Sequence, residues 1–148
     1  MTQPTSQADS NQASPQHNVV SALPEMAQSQ GDNIALSEAV PEILAKWTGP
    51  ESPIDMRSIT WGELDNKVAL AAGGFRRLGL EPGDRVVIFV PMSIDLYISM
   101  LGLFRMGAIA VFLDSFARQH QLGQCASLVE PKAFIGNELA QTFRPAIP

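Results

Sequence analysis

Only one cysteine and two histidines occur in this chain of 148 residues, and each scarcity closes off a class of chemistry. A lone Cys125 cannot form an internal disulfide, so nothing in the chain demands an oxidising compartment. With no charged partner near it in sequence, Cys125 reads as a small buried hydrophobe, not a reactive thiol. His17 and His120 are far apart, and His120, amid Arg118, Gln119 and Gln121, has no carboxylate nearby to orient it as an acid or base. No paired Cys and His spacing and no H-E-x-x-H motif is present to hold a metal. Basic side chains are scarce too: 10 Lys and Arg face 15 Asp and Glu, for a net charge of -5, so the chain has no basic field for nucleic acid or anionic lipid. No apolar run approaches the roughly 20 residues that span a bilayer. Residues 1–17 hold neither Lys nor Arg and no apolar segment, which reads as a disordered tail and not as a secretory signal or transit peptide. A soluble cytoplasmic protein is the expectation. At this length one domain can bury about two thirds of its unfolded surface.

What is present centres on residues 84–115. Residues 86–90 are an unbroken apolar, β-branched run, the pattern of a strand covered on both faces. Pro91 ends it, Ser93 can cap a following helix, and Asp95 sits in the first turn, where the helix dipole favours a carboxylate. The helix over residues 94–106 is apolar except for a narrow polar stripe of Asp95, Ser99, Gly102 and Arg105. Gly107 supplies a left-handed stop, and residues 109–113 form a second apolar strand. Strand, crossover helix and strand make a parallel βαβ unit.

Upstream, Asn18 can cap a short helix carrying Val20, Leu23 and Met26, with Pro24 tolerated in its first turns. Gly31, Asp32 and Asn33 turn into a strand over residues 34–39, and a proline-rich loop with Trp47 as its anchor leads to a second hairpin strand at residues 56–59. Thr60 and Glu63 spell a capping box for a helix reaching Leu78. Leu64, Val68, Ala71, Ala72, Phe75 and Leu78 form its apolar face, with Asp65, Asn66, Lys67, Arg76 and Arg77 largely turned away. Gly73 and Gly74 cost roughly 1 kcal/mol each in a helix, which a close neighbouring backbone would offset. Glu81, Pro82, Gly83 and Asp84 give a type II turn. Residues 116–129 have helical spacing, Pro131 closes them, residues 132–135 form a third parallel strand, and Asn137 precedes another helix.

The expected fold class is therefore α/β: an incomplete open parallel sheet with flanking helices, plus a small β-hairpin. Residues 18–148 form the partial domain, and a sheet left open after its third strand points to a fragment whose missing remainder, or a partner, covers the edge. In such sheets ligands lie beyond the carboxyl ends of the strands. Those positions hold Pro91, Met92 and Ser93, then Asp114, Ser115 and Phe116, then Gly136 and Asn137, and none of these trios is a catalytic set. Asp114 reads as a helix cap before a ligand contact. Neither a G-x-x-x-x-G-K-[ST] loop nor a G-x-G-x-x-G turn follows a strand. Leu101→Asp, placing a charge in the helix's packed interface, is expected to abolish folding.

Residues 59–114 resemble the amino-terminal part of the adenylate-forming (AMP-binding) synthetases, the group of acyl-CoA synthetases and related ligases. The resemblance covers residues 18–143. It is carried by Trp61 and Leu64 at the helix opening, by the Leu-Gly-Leu-x-Pro-Gly-Asp-Arg-Val turn from Leu78 to Val86, and by Met106, Gly107 and Ala108. It implies an enzyme that uses ATP and Mg2+ to join a carboxylic acid to AMP, releases pyrophosphate, and passes the acyl group to a thiol such as CoA. The family's phosphate loop ending in Pro-Lys, its Tyr-x-Thr-Gly-Asp motif and the lysine of its mobile carboxy-terminal domain have no counterpart here, so no catalytic residue carries over and no cofactor is expected on this chain alone. Where many members have Pro after the strand's Asp, this chain continues Asp114, Ser115, Phe116, Ala117, Arg118. That variant is similar to the fatty-acyl ligase and β-lactone synthetase branches, implying fatty acid metabolism. In acyl-CoA synthetases this loop lies near the thiol side of the active site, which makes Ser115 and Arg118 the implied substrate contacts. A free-standing α/β interaction module, pairing through its open sheet edge, is the alternative; a complete nucleotide-binding protein is disfavoured without a phosphate loop.

Overall fold

The structure, a computed structural model, describes residues 18–39, 49, 55–112, 124 and 128–141. Asn18 caps a short 3-10 turn, Val19–Ala22, by accepting the Val20 amide, and the chain continues into α1, Leu23–Gln30, with Pro24 in its first turn. Strands β1, Ile34–Ala39, and β2, Met56–Thr60, pair antiparallel, with Glu38 opposite Arg57 and a bulge between Ile34 and Leu36. Helix α2, Trp61–Arg77, opens on the capping box: Thr60 Oγ1 accepts the Glu63 amide and the Glu63 carboxylate accepts the Thr60 amide at 2.9 Å. The turn at residues 31–33 seats on the same end, where Asn33 and Gly31 carbonyls accept the Trp61 and Gly62 amides, each at 3.0 Å.

The expected βαβ unit follows as β3, Arg85–Phe89, α3, Ile94–Met106, and β4, Ile109–Phe112. A third parallel strand, β5, Ala133–Gly136, lies on the other side of β3, and a single turn of helix, α4, Glu138–Gln141, follows it. The sheet order is β4-β3-β5, so β3 is the central strand and the most deeply buried one. Val86, Val87 and Ile88 are accordingly buried. Ser93 caps α3 by accepting the Leu96 amide, and Gly107 ends it at φ 83.

Two apolar clusters share α2 and α3. Ala72, Leu80, Val86, Ile88, Leu96, Leu103, Met106 and Ala108 join the helices to the sheet, while Val20, Leu23, Ile59, Leu64, Val68 and Ile94 join them to α1 and the hairpin. Burial of a leucine or valine side chain in such a cluster contributes about 1.5–3 kcal/mol. Leu101 is only half-buried beside the second cluster, so the deep anchor of α3 is Leu103.

Four expectations for this helix pair are corrected. The close approach falls at Gly102 of α3, not at Gly73 and Gly74: a methyl group on Gly102 would meet Ala71 Cβ at 2.9 Å, whereas one on Gly73 would meet only the end of Arg77 at 3.7 Å. The polar stripe of α3 splits for the same reason, since Gly102 is buried and Arg105 reaches across to α2. Asp65, expected to face away, receives that arginine on both its carboxylate and, at 3.1 Å, its main-chain oxygen. Finally, Leu78 is 82% exposed, because the chain leaves the helix there, and Leu80 folds back into the core with its amide on the Phe75 carbonyl.

Candidate functional site

The carboxyl end of β3 runs into Pro91, Met92 and Ser93, and this turn forms one wall of a cleft of about 230 Å³ whose other wall is strand β1. Leu36, Glu38 and Ala39 line it from the hairpin, and Tyr97 lines it from α3. Met92 stands 77% exposed at its rim. Sequence reading found Met92 and Ser93 here but missed Glu38, Arg57 and Tyr97. Their contribution depends on how the hairpin packs on α3, which no local pattern specifies.

The Ser93 and Glu38 side chains at the cleft are held by neighbouring groups. Ser93 Oγ donates to the Pro91 carbonyl at 3.0 Å and accepts the Leu96 amide at 3.2 Å, so it has no base to activate it as a nucleophile. Glu38 accepts the Ile94 amide on one oxygen at 2.5 Å and pairs through the other with Arg57 Nε at 2.7 Å. Arg57 extends to Asp95 at 3.5 Å.

A helix amino terminus beyond a strand end is the ordinary place for a phosphate, because its free amides and dipole favour an anion. At α3, Glu38 and Ser93 already take amides of the first turn, and at α2 the capping box and the 31–33 turn do so. Among the described residues no group of His, Cys, Asp and Glu is arranged to hold a metal ion. The described residues therefore do not fit the phosphates of ATP or their Mg2+, and no chemical step is assigned through them. Ser115 and Arg118, the implied substrate contacts, lie outside the described residues, as do Trp47, Asp114, Cys125, His17 and His120.

One perturbed ionisable pair lies at the opposite, amino end of the strands. Asp84 Oδ2 accepts the Glu81 amide at 2.6 Å and pairs with Lys132 Nζ at 2.9 Å. The Glu81 N–H and then the Lys132 ammonium hold the Asp84 carboxyl below its ordinary range, and Asp84 in turn raises Lys132. This pair fastens the turn before β3 to the start of β5. Its place far from the ligand side of the sheet makes it structural.

An open parallel sheet flanked by helices, with a hairpin walling the carboxyl end of its central strand, defines the class as an α/β domain. Sequence comparison makes this specific: the family model described as AMP-binding enzyme matches residues 24–147, and the chain belongs to that family. An olefin β-lactone synthetase from Xanthomonas campestris is 30% identical over 131 residues, covering 86% of this chain and 22% of the relative. A mitochondrial acyl-CoA synthetase short-chain family member B from Dictyostelium discoideum is 42% identical over 78 residues, covering 52% of this chain and 11% of the relative. Among solved structures, the N-terminal subdomain of NpsA from Klebsiella oxytoca, in complex with 3-hydroxyanthranilyl-AMSN, superposes with a TM-score of 0.69 at 25% identity, covering 88% of this chain and 28% of that one. The chain thus spans about a fifth or less of the length of these curated relatives. No helix among the described residues is long and apolar enough to cross a membrane.

Proposed function

We propose that this chain is the amino-terminal part of an AMP-forming acid ligase. The complete enzyme would join a carboxylic acid to AMP from ATP with Mg2+ and pass the acyl group to CoA. The single observation that carries this reading is the family match over residues 24–147 in a chain that covers only 22% of its relative. Residues 18–148 are then one partial domain, preceded by a tail at residues 1–17, in a cytoplasmic enzyme of fatty acid metabolism. Ser115 and Arg118 are its proposed substrate contacts. The open edge at β4, where Ile109 and Phe112 are half exposed, suits coverage by the rest of such a domain.

On this reading the 148-residue chain is inactive by itself, since its two long helices have no vacant amino terminus for the phosphates. The test is the intact mass of the protein captured from its own cells with an antibody to residues 60–84. A mass several times 16.0 kDa is expected. A native mass of 16.0 kDa, or pyrophosphate released by the isolated chain from ATP and any carboxylic acid, would overturn it.

A further inference from the structure

The Glu38 carboxylate of the hairpin bonds the first amide of α3. Glu38 faces Arg57 across the β1 and β2 ladder, and its two oxygens serve different elements: one takes Arg57 Nε at 2.7 Å, the other the Ile94 amide at 2.5 Å. The side chain is only 19% exposed, and Arg57 carries the link on to Asp95 at 3.5 Å. The hairpin also rests on α3 through Leu36, Ile59 and Ile94, but apolar contact is non-directional and does not fix an angle between the two elements. A charged hydrogen bond to the first amide of a helix does fix one, because donor direction and dipole both point at the acceptor.

We propose that Glu38 is a positioning residue, a latch that fixes the hairpin on the amino terminus of α3 and so sets the width of the cleft between β1 and residues 91–93. The latched amide belongs to the residue that directly follows Ser93, so the hairpin and the turn at the carboxyl end of the central strand are held in one geometry. Release of Glu38 loosens the hairpin and the start of α3 together and leaves the sheet untouched. The inference concerns these elements alone and does not depend on the reaction of the complete enzyme.

Native-state hydrogen exchange on the 148-residue chain tests it, with Glu38→Gln and Ser37→Ala as the two variants. Glutamine keeps the shape but carries no charge and puts a donor NH2 in place of one acceptor oxygen, so the bond to the Ile94 amide is either lost or stripped of its charge assistance. The Ile94 amide in Glu38→Gln should exchange about tenfold faster than in the parent, with the Val87 amide unchanged. Ser37→Ala removes the 2.7 Å hydroxyl contact with Ser58 on the same hairpin and should leave Ile94 unchanged. The proposal is overturned if Glu38→Gln leaves Ile94 as it was, if Val87 accelerates equally, or if Ser37→Ala releases Ile94 as strongly.

Discussion

Gly102 and Ala71 bring α3 and α2 together: a methyl group on Gly102 would stand 2.9 Å from the Ala71 Cβ and 3.2 Å from the Phe75 ring. Neither neighbour is the end of a flexible chain, so the helices themselves would have to part. Overpacking of this kind costs about 1–3 kcal/mol, against about 1 kcal/mol gained from alanine's better helix propensity. Gly102→Ala should lower stability by about 1 kcal/mol, and Gly102→Val by more. Gly73→Ala has room, with only the end of Arg77 near it, and should raise stability by about 0.5–1 kcal/mol. Urea denaturation of the pair checks the sign; stabilisation by both would show that the helices are not in contact at Gly102.

The same two helices are pinned by Arg105 and Asp65, whose side chains are 20% and 27% exposed. Asp65→Ala leaves a half-buried guanidinium with only the main-chain oxygen of residue 65, at a cost of about 1–2 kcal/mol. The effect should persist in high salt more than a surface pair's would, because the charges are partly shielded from water. Denaturation midpoints at low and high salt measure it, and an unchanged midpoint for Asp65→Ala would refute the pin.

Much of this arrangement was legible in the chain. The βαβ unit, the capping box at Thr60 and Glu63, and the stop at Gly107 follow from local rules, since a cap or a left-handed glycine acts on its own turn. What escaped was set by contacts between distant segments. Asp65 reads as a surface residue until α3 supplies Arg105, and Gly102 reads as part of a polar stripe until α2 lies against it. Glu38 escaped for the same reason: its partners, Arg57 and Ile94, are brought to it by strand register and by the docking of the hairpin. The substrate contacts expected at Ser115 and Arg118 rest on resemblance alone.

Leu103 and Leu101 separate core from flank on one helix. Leu103 is fully buried against the sheet, while Leu101 is half-buried beside the hairpin cluster. Leu103→Ala should cost about 2–5 kcal/mol, enough to threaten the folding of a small domain, and Leu101→Ala should cost well under half of that. Thermal unfolding of both variants decides it. An equal loss at the two positions would place Leu101 in the core.

The Asp84 and Lys132 pair should give stability a dependence on pH with a limb at each end. Asp84 titrates lower in the folded chain than its ordinary 3.8, so its contribution is complete above that value and fades as pH falls through the folded one. Lys132 titrates above its ordinary 10.5, so its contribution is complete below that value and fades as pH rises through the folded one. Lys132→Met should therefore remove the alkaline limb. The acid limb should only shrink, because the first cause of the Asp84 shift is the Glu81 amide, which the substitution leaves in place. Denaturation midpoints for the parent and for Lys132→Met at about pH 3, 7 and 11 read both limbs at once. Disappearance of the acid limb in the variant would mean that the ammonium, and not the turn's own amide, holds the Asp84 carboxylate.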